Sequence, residues 1–222
     1  YMSICSPNFL HEEQVSLALK ANMNVICEKP VALSEKGVKE LENIESTSSG
    51  TVSSILQLRL HPEIIKLKKL ISLNNRHKIQ LTYVAKRDSD YFKTWKGNDF
   101  LSGGMITNVG IHYFDLLLYI FGDYKTIKLK SNSPNQSLGH LDLLGGSVDW
   151  LLSFNEEDIK KYLTSESKSF RSIAVDGTEI DFSYVDEDLH TISYKEVLNG
   201  RGFSLRDAKP RIKMLDEVKA MR

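Results

Sequence analysis

Asn108, His112 and Asp115 recur at i, i+4 and i+7 in a segment, residues 103–121, that is otherwise apolar nearly all round. That spacing lines three polar side chains along a buried helix. Buried polar groups need partners. The stripe therefore reads either as an internal network that fixes the helix, or as a general-base histidine facing a cleft with Asn108 and Asp115 orienting it. Lys29, in Glu28-Lys29-Pro30, follows an apolar strand at 24–27. Ligands of open α/β sheets bind at that carboxyl edge, and a desolvated lysine acquires a lowered pKa suited to proton transfer; the alternative is a surface ion pair before a proline stop. Ser6-Pro7-Asn8 through His11 also follows a strand and opens a helix. Its N–H groups either serve plain helix capping, with Asn8 as N-cap, or meet the phosphate or polar ring atoms of a ligand. Gln57, Arg59 and His61 line one face of an expected strand. Arg59 there could hold a carboxylate or phosphate bidentately, or the face is simply solvated. Trp95-Lys96-Gly97 precedes the buried helix, where an aromatic beside a cation could stack on a ring and bind an anion, or where the tryptophan anchors its own loop.

The elements that would carry these residues come in two styles. Residues 1–5 and 24–27 read as short buried strands alternating with helices, the first with Val15, Ala18 and Leu19 inward, the second capped by Ser34 with Val38, Leu41 and Ile44 inward. Alternating β and α elements predict a parallel sheet with crossover helices, so residues 1–50 read as the end of a doubly wound α/β domain. Residues 51–60 alternate as a strand, with Leu56, Leu58 and Leu60 on one side, and Pro62 opens a helix carrying Ile64, Ile65, Leu67, Leu70 and Ile71. Strands follow at 78–87, 125–131, 147–154, 169–175 and 178–184, with Asp176-Gly177 as a tight turn between the last two. One long helix, 103–121, interrupts them, and two more close the chain near 191–198 and 204–221. Residues 51–222 therefore predict an α+β domain with a large, mostly antiparallel sheet, whose last helices could pack back on the first part.

Composition excludes several function classes. The 222 residues are 41% hydrophobic and 26% charged, an ordinary globular balance. Lysine and arginine total 29 and aspartate and glutamate 29, so no basic excess points to nucleic acid or an anionic membrane. Two cysteines do not make a disulfide scaffold, and both lie in apolar strands. The six histidines show no metal-ligand spacing, and no metal is expected. No apolar run spans a membrane and no signal-peptide pattern opens the chain, so a cytoplasmic protein is expected. A chain that begins on a core strand at Tyr1 reads as lacking an upstream segment; no Gly-x-Gly-x-x-Gly fingerprint is present.

Ser3-Ile4-Cys5-Ser6-Pro7-Asn8, His11, Glu28-Lys29-Pro30 and Asn108-x-Gly110-Ile111-His112-x-x-Asp115-Leu116-Leu117, in that order and spacing, resemble the Gfo/Idh/MocA family of NAD(P)-dependent sugar oxidoreductases. Gln57-Leu58-Arg59-Leu60-His61-Pro62, Trp95-Lys96-Gly97, Ser102-Gly103-Gly104, Arg171 to Gly177 and Leu189-His190-Thr191-x-Ser193-Tyr194 resemble its UDP-N-acetylglucosaminuronate 3-dehydrogenases. The resemblance covers essentially the whole chain but not the first half of the Rossmann domain, so the chain by itself is expected to bind NAD weakly or not at all. It implies NAD as cofactor, with NADP not excluded, and Ser6, Pro7, Asn8, His11, Glu28, Lys29 and Gln57 on the cofactor side. It implies Lys29 and His112 as the acid/base pair, with His112 accepting the proton and Lys29 polarising the oxyanion, or the reverse. It also implies oxidation of a sugar C3 hydroxyl, a role in lipopolysaccharide or O-antigen sugar synthesis, and a homodimer or homotetramer. Arg59, Lys96 and His61 would then take the uronate and pyrophosphate charges of the UDP-sugar. Gln57 and Thr107 would read its hydroxyls, and Lys29, Trp95, Asn108 and His112 would complete the substrate site. Many family members carry Asp where this chain has Asn108, and an amide cannot take a proton. Two other readings stay open: a dehydrogenase of a free sugar or polyol, or, for the chain by itself, a non-catalytic substrate-binding and oligomerisation piece.

Overall fold

A computed structural model describes residues 1–183 and 188–221. The first part alternates strand and helix: β1 (Met2–Ile4), a 3-10 turn (Asn8–Leu10), α1 (His11–Lys20), β2 (Val25–Cys27), α2 (Glu35–Glu45) and β3 (Val52–Ser54). The strands form a parallel sheet in the order β1-β2-β3. Val15, Ala18 and Leu19 of α1 and Val38 and Leu41 of α2 are buried. Ser34 caps α2, accepting from Gly37 N at 3.0 Å. The parallel sheet thus runs to residue 54, past the division expected at residue 50. Asn8, expected to cap a helix, makes no cap; Pro7 precedes the 3-10 turn, and the Asn8 side chain is spent elsewhere, as described below.

The strand expected over 51–60 stops at Ser54. Ile55 N makes one more ladder bond, to Cys27 O at 2.8 Å, and Gln57–Leu60 then turn as a 3-10 helix. Leu56, Leu58 and Arg59 are all buried, so the alternation of leucine with polar residues was not that of a half-solvated strand. α3 (Pro62–Leu70) follows, with Ile64 and Leu67 inward and Ile65 and Leu70 exposed.

The second sheet holds β4 (His77–Ala85), β5 (Tyr124–Ser133), β6 (Gln136–Leu143), β7 (Gly146–Ser153), β8 (Ser169–Val175) and β9 (Thr178–Asp181), in the order β5-β6-β7-β4-β8-β9. All neighbours are antiparallel except β4 and β7. Tyr184, placed in the last strand from sequence, lies outside the described residues. β6 was not legible in sequence. Its inward positions include Ser137 and Gly139, because Trp150 of β7 fills that space: a Cβ on Gly139 would stand 2.2 Å from the indole. Asp176 (φ 50°) and Gly177 (φ 85°) make the tight turn between β8 and β9.

Between β4 and β5 run α4 (Ser89–Lys93), α5 (Asp99–Ser102), α6 (Gly104–Asn108) and α7 (Gly110–Phe121); α8 (Glu156–Tyr162) precedes β8. The helix expected over 103–121 is broken at Val109, and the segments Asp99–Asn108 and Gly110–Phe121 meet at 42°. No single helix among the described residues is long and apolar enough to cross a membrane. α7 lies on the inner face of the large sheet, with Phe114 edge-on to Trp150 (5.2 Å between centroids) and Tyr113 against Tyr83 (5.0 Å).

After α9 (Leu189–Leu198) the chain returns to the small sheet, where Ser54 N donates to Phe203 O at 2.7 Å. α10 (Leu205–Ala220) then packs on both α2 and α7. Asp115 of α7 is buried here between two arginines. Its Oδ2 accepts from Arg59 Nε at 2.9 Å and its Oδ1 from Arg59 Nη2 at 2.7 Å, and Arg211 Nε of α10 stands 2.6 Å from that same Oδ1. Asp207 completes the group, 3.5 Å from Arg59, and the Arg59 guanidinium lies between the rings of Tyr119 and Phe203. Burial draws Arg211 down to about 10, which leaves it charged at neutral pH, with Asp115 opposing the shift. Two cations and two carboxylates balance. Removing one carboxylate would leave buried arginines uncompensated, so Asp115→Ala should lower stability by about 3–5 kcal/mol. The expected outcome is a lower urea midpoint at unchanged slope, the shift multiplied by that slope giving the stated loss.

Candidate active site

The carboxyl ends of the three parallel strands, the break between α6 and α7, and the inner face of the large sheet enclose a cavity of about 770 Å³. Lys29 spans the seam: its Nζ donates to the backbone carbonyl of Asn108, at the helix break, at 2.7 Å. A side chain that engages the helix ladder is one of the few recognised causes of a kink. Burial pulls the Lys29 ammonium from 10.5 down to about 8, opposed by Glu28 and helped by Lys96. His112, in the first turn of α7, lines the same cavity and sits well below the usual histidine value of 6.5. Burial disfavours its imidazolium, and Lys29, Arg171 and His190 add positive charge around it. At neutral pH the pair is therefore an ammonium and a neutral imidazole.

The expected residues divide. Ser6, Asn8, His11, Glu28, Lys29 and Gln57 line the cavity from the parallel-sheet side. Trp95, Lys96, Asn108 and His112 line it from the other. His11 is 1% exposed, with Nδ1 2.7 Å from Pro30 O and Nε2 2.7 Å from Ser6 O, so it brackets the two loops that form the wall. Pro7 does not line the cavity. Arg59 and His61, expected to take substrate charge, are not in it either. Arg59 is committed to Asp115, and His61 is buried, caps α3 by accepting from Glu63 N at 3.2 Å, and packs against Phe182. Thr107 is also buried outside the cavity, packed against Gly103. Asp115 does not orient His112, because its carboxylate is taken by the two arginines. No cluster of metal-ligating side chains occurs among the described residues.

Sequence reasoning missed the cations that do face the cavity. Arg171 and Arg87 join Lys29 and Lys96 there, against the carboxylates of Glu28 and Asp188. Arg171 sits on β8 in register with Tyr83 and in step with the inward Ile173 and Val175. A charge at a core-facing strand position is the signal that was available. Arg171 Nε is buried without a partner among the described residues. His190 of α9 reaches Glu28 at 3.3 Å and closes the cavity from the chain's last third.

Residues 1–55 match the NAD-binding Rossmann fold of the Gfo/Idh/MocA oxidoreductases, and residues 68–179 match the C-terminal alpha/beta domain of that family. The chain belongs to the Gfo/Idh/MocA oxidoreductase family. The fold is accordingly a Rossmann-type fragment followed by the family's C-terminal domain with its large sheet. The WlbA (WbpB) dehydrogenase of Thermus thermophilus, solved with NAD and alpha-ketoglutarate, is 36% identical with a TM-score of 0.92, over 100% of this chain and 72% of that one. The same dehydrogenase with NAD and UDP-GlcNAcA gives 37% and 0.91, over 99% and 71%. Among curated relatives, the D-glucoside 3-dehydrogenase of Escherichia coli is 23% identical over 67% of this chain and 43% of its own length. The uncharacterized oxidoreductase YrbE of Bacillus subtilis is 28% identical over 55% and 36%. The chain thus spans about two fifths of the length of such relatives.

Lys29 and His112 line the same cavity, and the lysine sets part of the histidine's electrostatics. Replacing Lys29 by Met removes the foremost charge that opposes the imidazolium. The His112 midpoint, followed by its imidazole proton resonance across pH, should therefore move up.

Proposed function

We propose that the protein is an NAD-dependent dehydrogenase that oxidises the C3 hydroxyl of UDP-N-acetylglucosaminuronate to the 3-keto sugar nucleotide. The observation that carries this reading is Lys29, held as an ammonium at the seam beside neutral His112, in a cavity whose described lining residues carry an excess of cations. Among the described lining residues, four cations, Lys29, Arg87, Lys96 and Arg171, against two carboxylates suit a substrate bearing both a uronate and a pyrophosphate. The likeness to a WlbA structure that holds NAD and UDP-GlcNAcA supports the same substrate.

The residues present fit the nicotinamide end of the cofactor. The carboxyl edge of β1 and β2 supplies Ser6 and Glu28, and the buried Gln57 Oε1 has no partner among the described residues, an acceptor of the kind a carboxamide NH₂ would satisfy. NAD, when bound, takes the hydride from the carbinol carbon. His112 accepts the hydroxyl proton on an imidazole nitrogen. Lys29 stays protonated and stabilises the negative charge developing on that oxygen. Asn108 carries no proton in this scheme; its carbonyl holds Lys29 and its amide serves other contacts. A second reading, a dehydrogenase of a free sugar or polyol, is favoured by the names of the curated relatives. It would need no group for UDP.

NADH formation from UDP-N-acetylglucosaminuronate, followed at 340 nm beside D-glucose and myo-inositol, separates the two readings: turnover of the uridine nucleotide supports the first, and turnover of a free sugar alone replaces it with the second. On the active substrate, His112→Ala should lower kcat about 100-fold or more, as for loss of a general base. The required ammonium of Lys29 sets the sign of the pH profile. As pH rises through about 8 the lysine loses its proton, so kcat/KM should fall there. A rise through the same range would instead make neutral Lys29 the base.

A further inference from the structure

Asn8, on the parallel-sheet side, is only 4% exposed, and its amide reaches across the seam. Its Nδ2 donates to the backbone carbonyl of Ser102 at 3.0 Å and to Asn108 Oδ1 at 3.3 Å. A backbone carbonyl can only accept, so the first bond fixes which end of the Asn8 amide is nitrogen. The second bond then fixes the Asn108 amide: its oxygen faces Asn8, and its nitrogen must face the other way. That nitrogen meets the Tyr91 hydroxyl at 3.1 Å. An amide nitrogen only donates, so the Tyr91 oxygen is the acceptor and its own proton turns elsewhere. The Arg87 guanidinium, 5.2 Å over the Tyr91 ring, cannot receive that proton, and no protein acceptor among the described residues takes it. Tyr91 lines the cavity, and burial keeps its hydroxyl protonated. Its ring is fixed edge-on to Phe154 at 5.6 Å, so the hydroxyl is aimed from a rigid base. Lys29 holds the main-chain carbonyl of the same Asn108, so one residue bonds to both Tyr91 and Lys29, and all three line the cavity.

We propose that Tyr91 is a substrate-orienting residue, a one-way hydrogen-bond donor to an acceptor oxygen of the sugar, with its polarity set by Asn8 acting through Asn108. The inference rests on the dehydrogenase reading and adds a group to it. Tyr91 touches the substrate; Asn8 does not, and is a positioning residue.

The test is steady-state kinetics of the intact protein, with a whole NAD-binding domain, on whichever of UDP-N-acetylglucosaminuronate, D-glucose or myo-inositol it oxidises, with NADH binding measured alongside. Tyr91→Phe keeps the ring packing and removes only the donor. It should raise KM for the sugar about fivefold to tenfold, the size of one net hydrogen bond, with kcat changed less than threefold and NADH affinity unchanged. Asn8→Ala should raise KM in the wild-type background and add less than twofold in the Tyr91→Phe background, because both changes break one relay. A merely structural role for Asn8 would instead give additive effects, and additivity overturns the relay. An unchanged KM in Tyr91→Phe overturns the assignment of Tyr91 and leaves the dehydrogenase reading standing. An intact wild-type protein, with a whole NAD-binding domain, that oxidises none of the three substrates overturns that reading and, with it, this inference.

Discussion

The hydrogen bond from Lys29 Nζ to the Asn108 carbonyl is the contact on which the site depends. An ammonium taken out of water is costly unless it finds an acceptor. Here the acceptor is a main-chain carbonyl at the bend between α6 and α7, and the donor sits at the carboxyl end of β2. One bond therefore joins the edge of the parallel sheet to the helix that carries His112. The same desolvation that lowers the lysine also lowers the histidine, and each cation disfavours charge on its neighbour. The electrostatic state of both groups follows from one packed seam.

The buried Arg59–Asp115–Arg211 group holds the other side of α7. It binds the helix to the turn that leaves the parallel sheet and to α10, which itself lies on α2. Lys29 fixes the bend that precedes α7, and the ion cluster fixes the helix one turn beyond His112. His112 is thus placed between two anchors, both of which cross between the parallel sheet's elements and the large sheet's layer. This explains why polar residues at i, i+4 and i+7 share one buried helix yet do different work: Asn108 and His112 line the cavity, while Asp115 lies in the body of the fold.

The places of Lys29 and His112 at the cavity were legible from residue type and position, because a lysine ending a parallel strand and a histidine on an apolar helix are unusual places for such groups. The strands of the large sheet were legible where inward positions are apolar, and β6 was not, because Trp150 leaves room only for Ser137 and Gly139 across from it. Arg59 was misread for the same kind of reason. Its alternation with leucines fits a strand as well as a 3-10 turn, and its partner Asp115 lies 56 residues away. Arg171 was passed over because its strand was read for alternation and not for the charge that interrupts it. Asn8 looked like a cap, and nothing local in sequence shows that its amide crosses to Ser102 and Asn108.

The central claim is that Lys29 is a desolvated ammonium pinned at the seam, and the direct measurement is its own titration. Competitive labelling of the lysines by acetic anhydride across pH, with the peptide containing Lys29 resolved by mass, reads that midpoint. The account predicts a midpoint near 8. A midpoint at the ordinary value of 10.5 would contradict it, since it would mean that Lys29 is solvated and that the seam does not set the charge of the site.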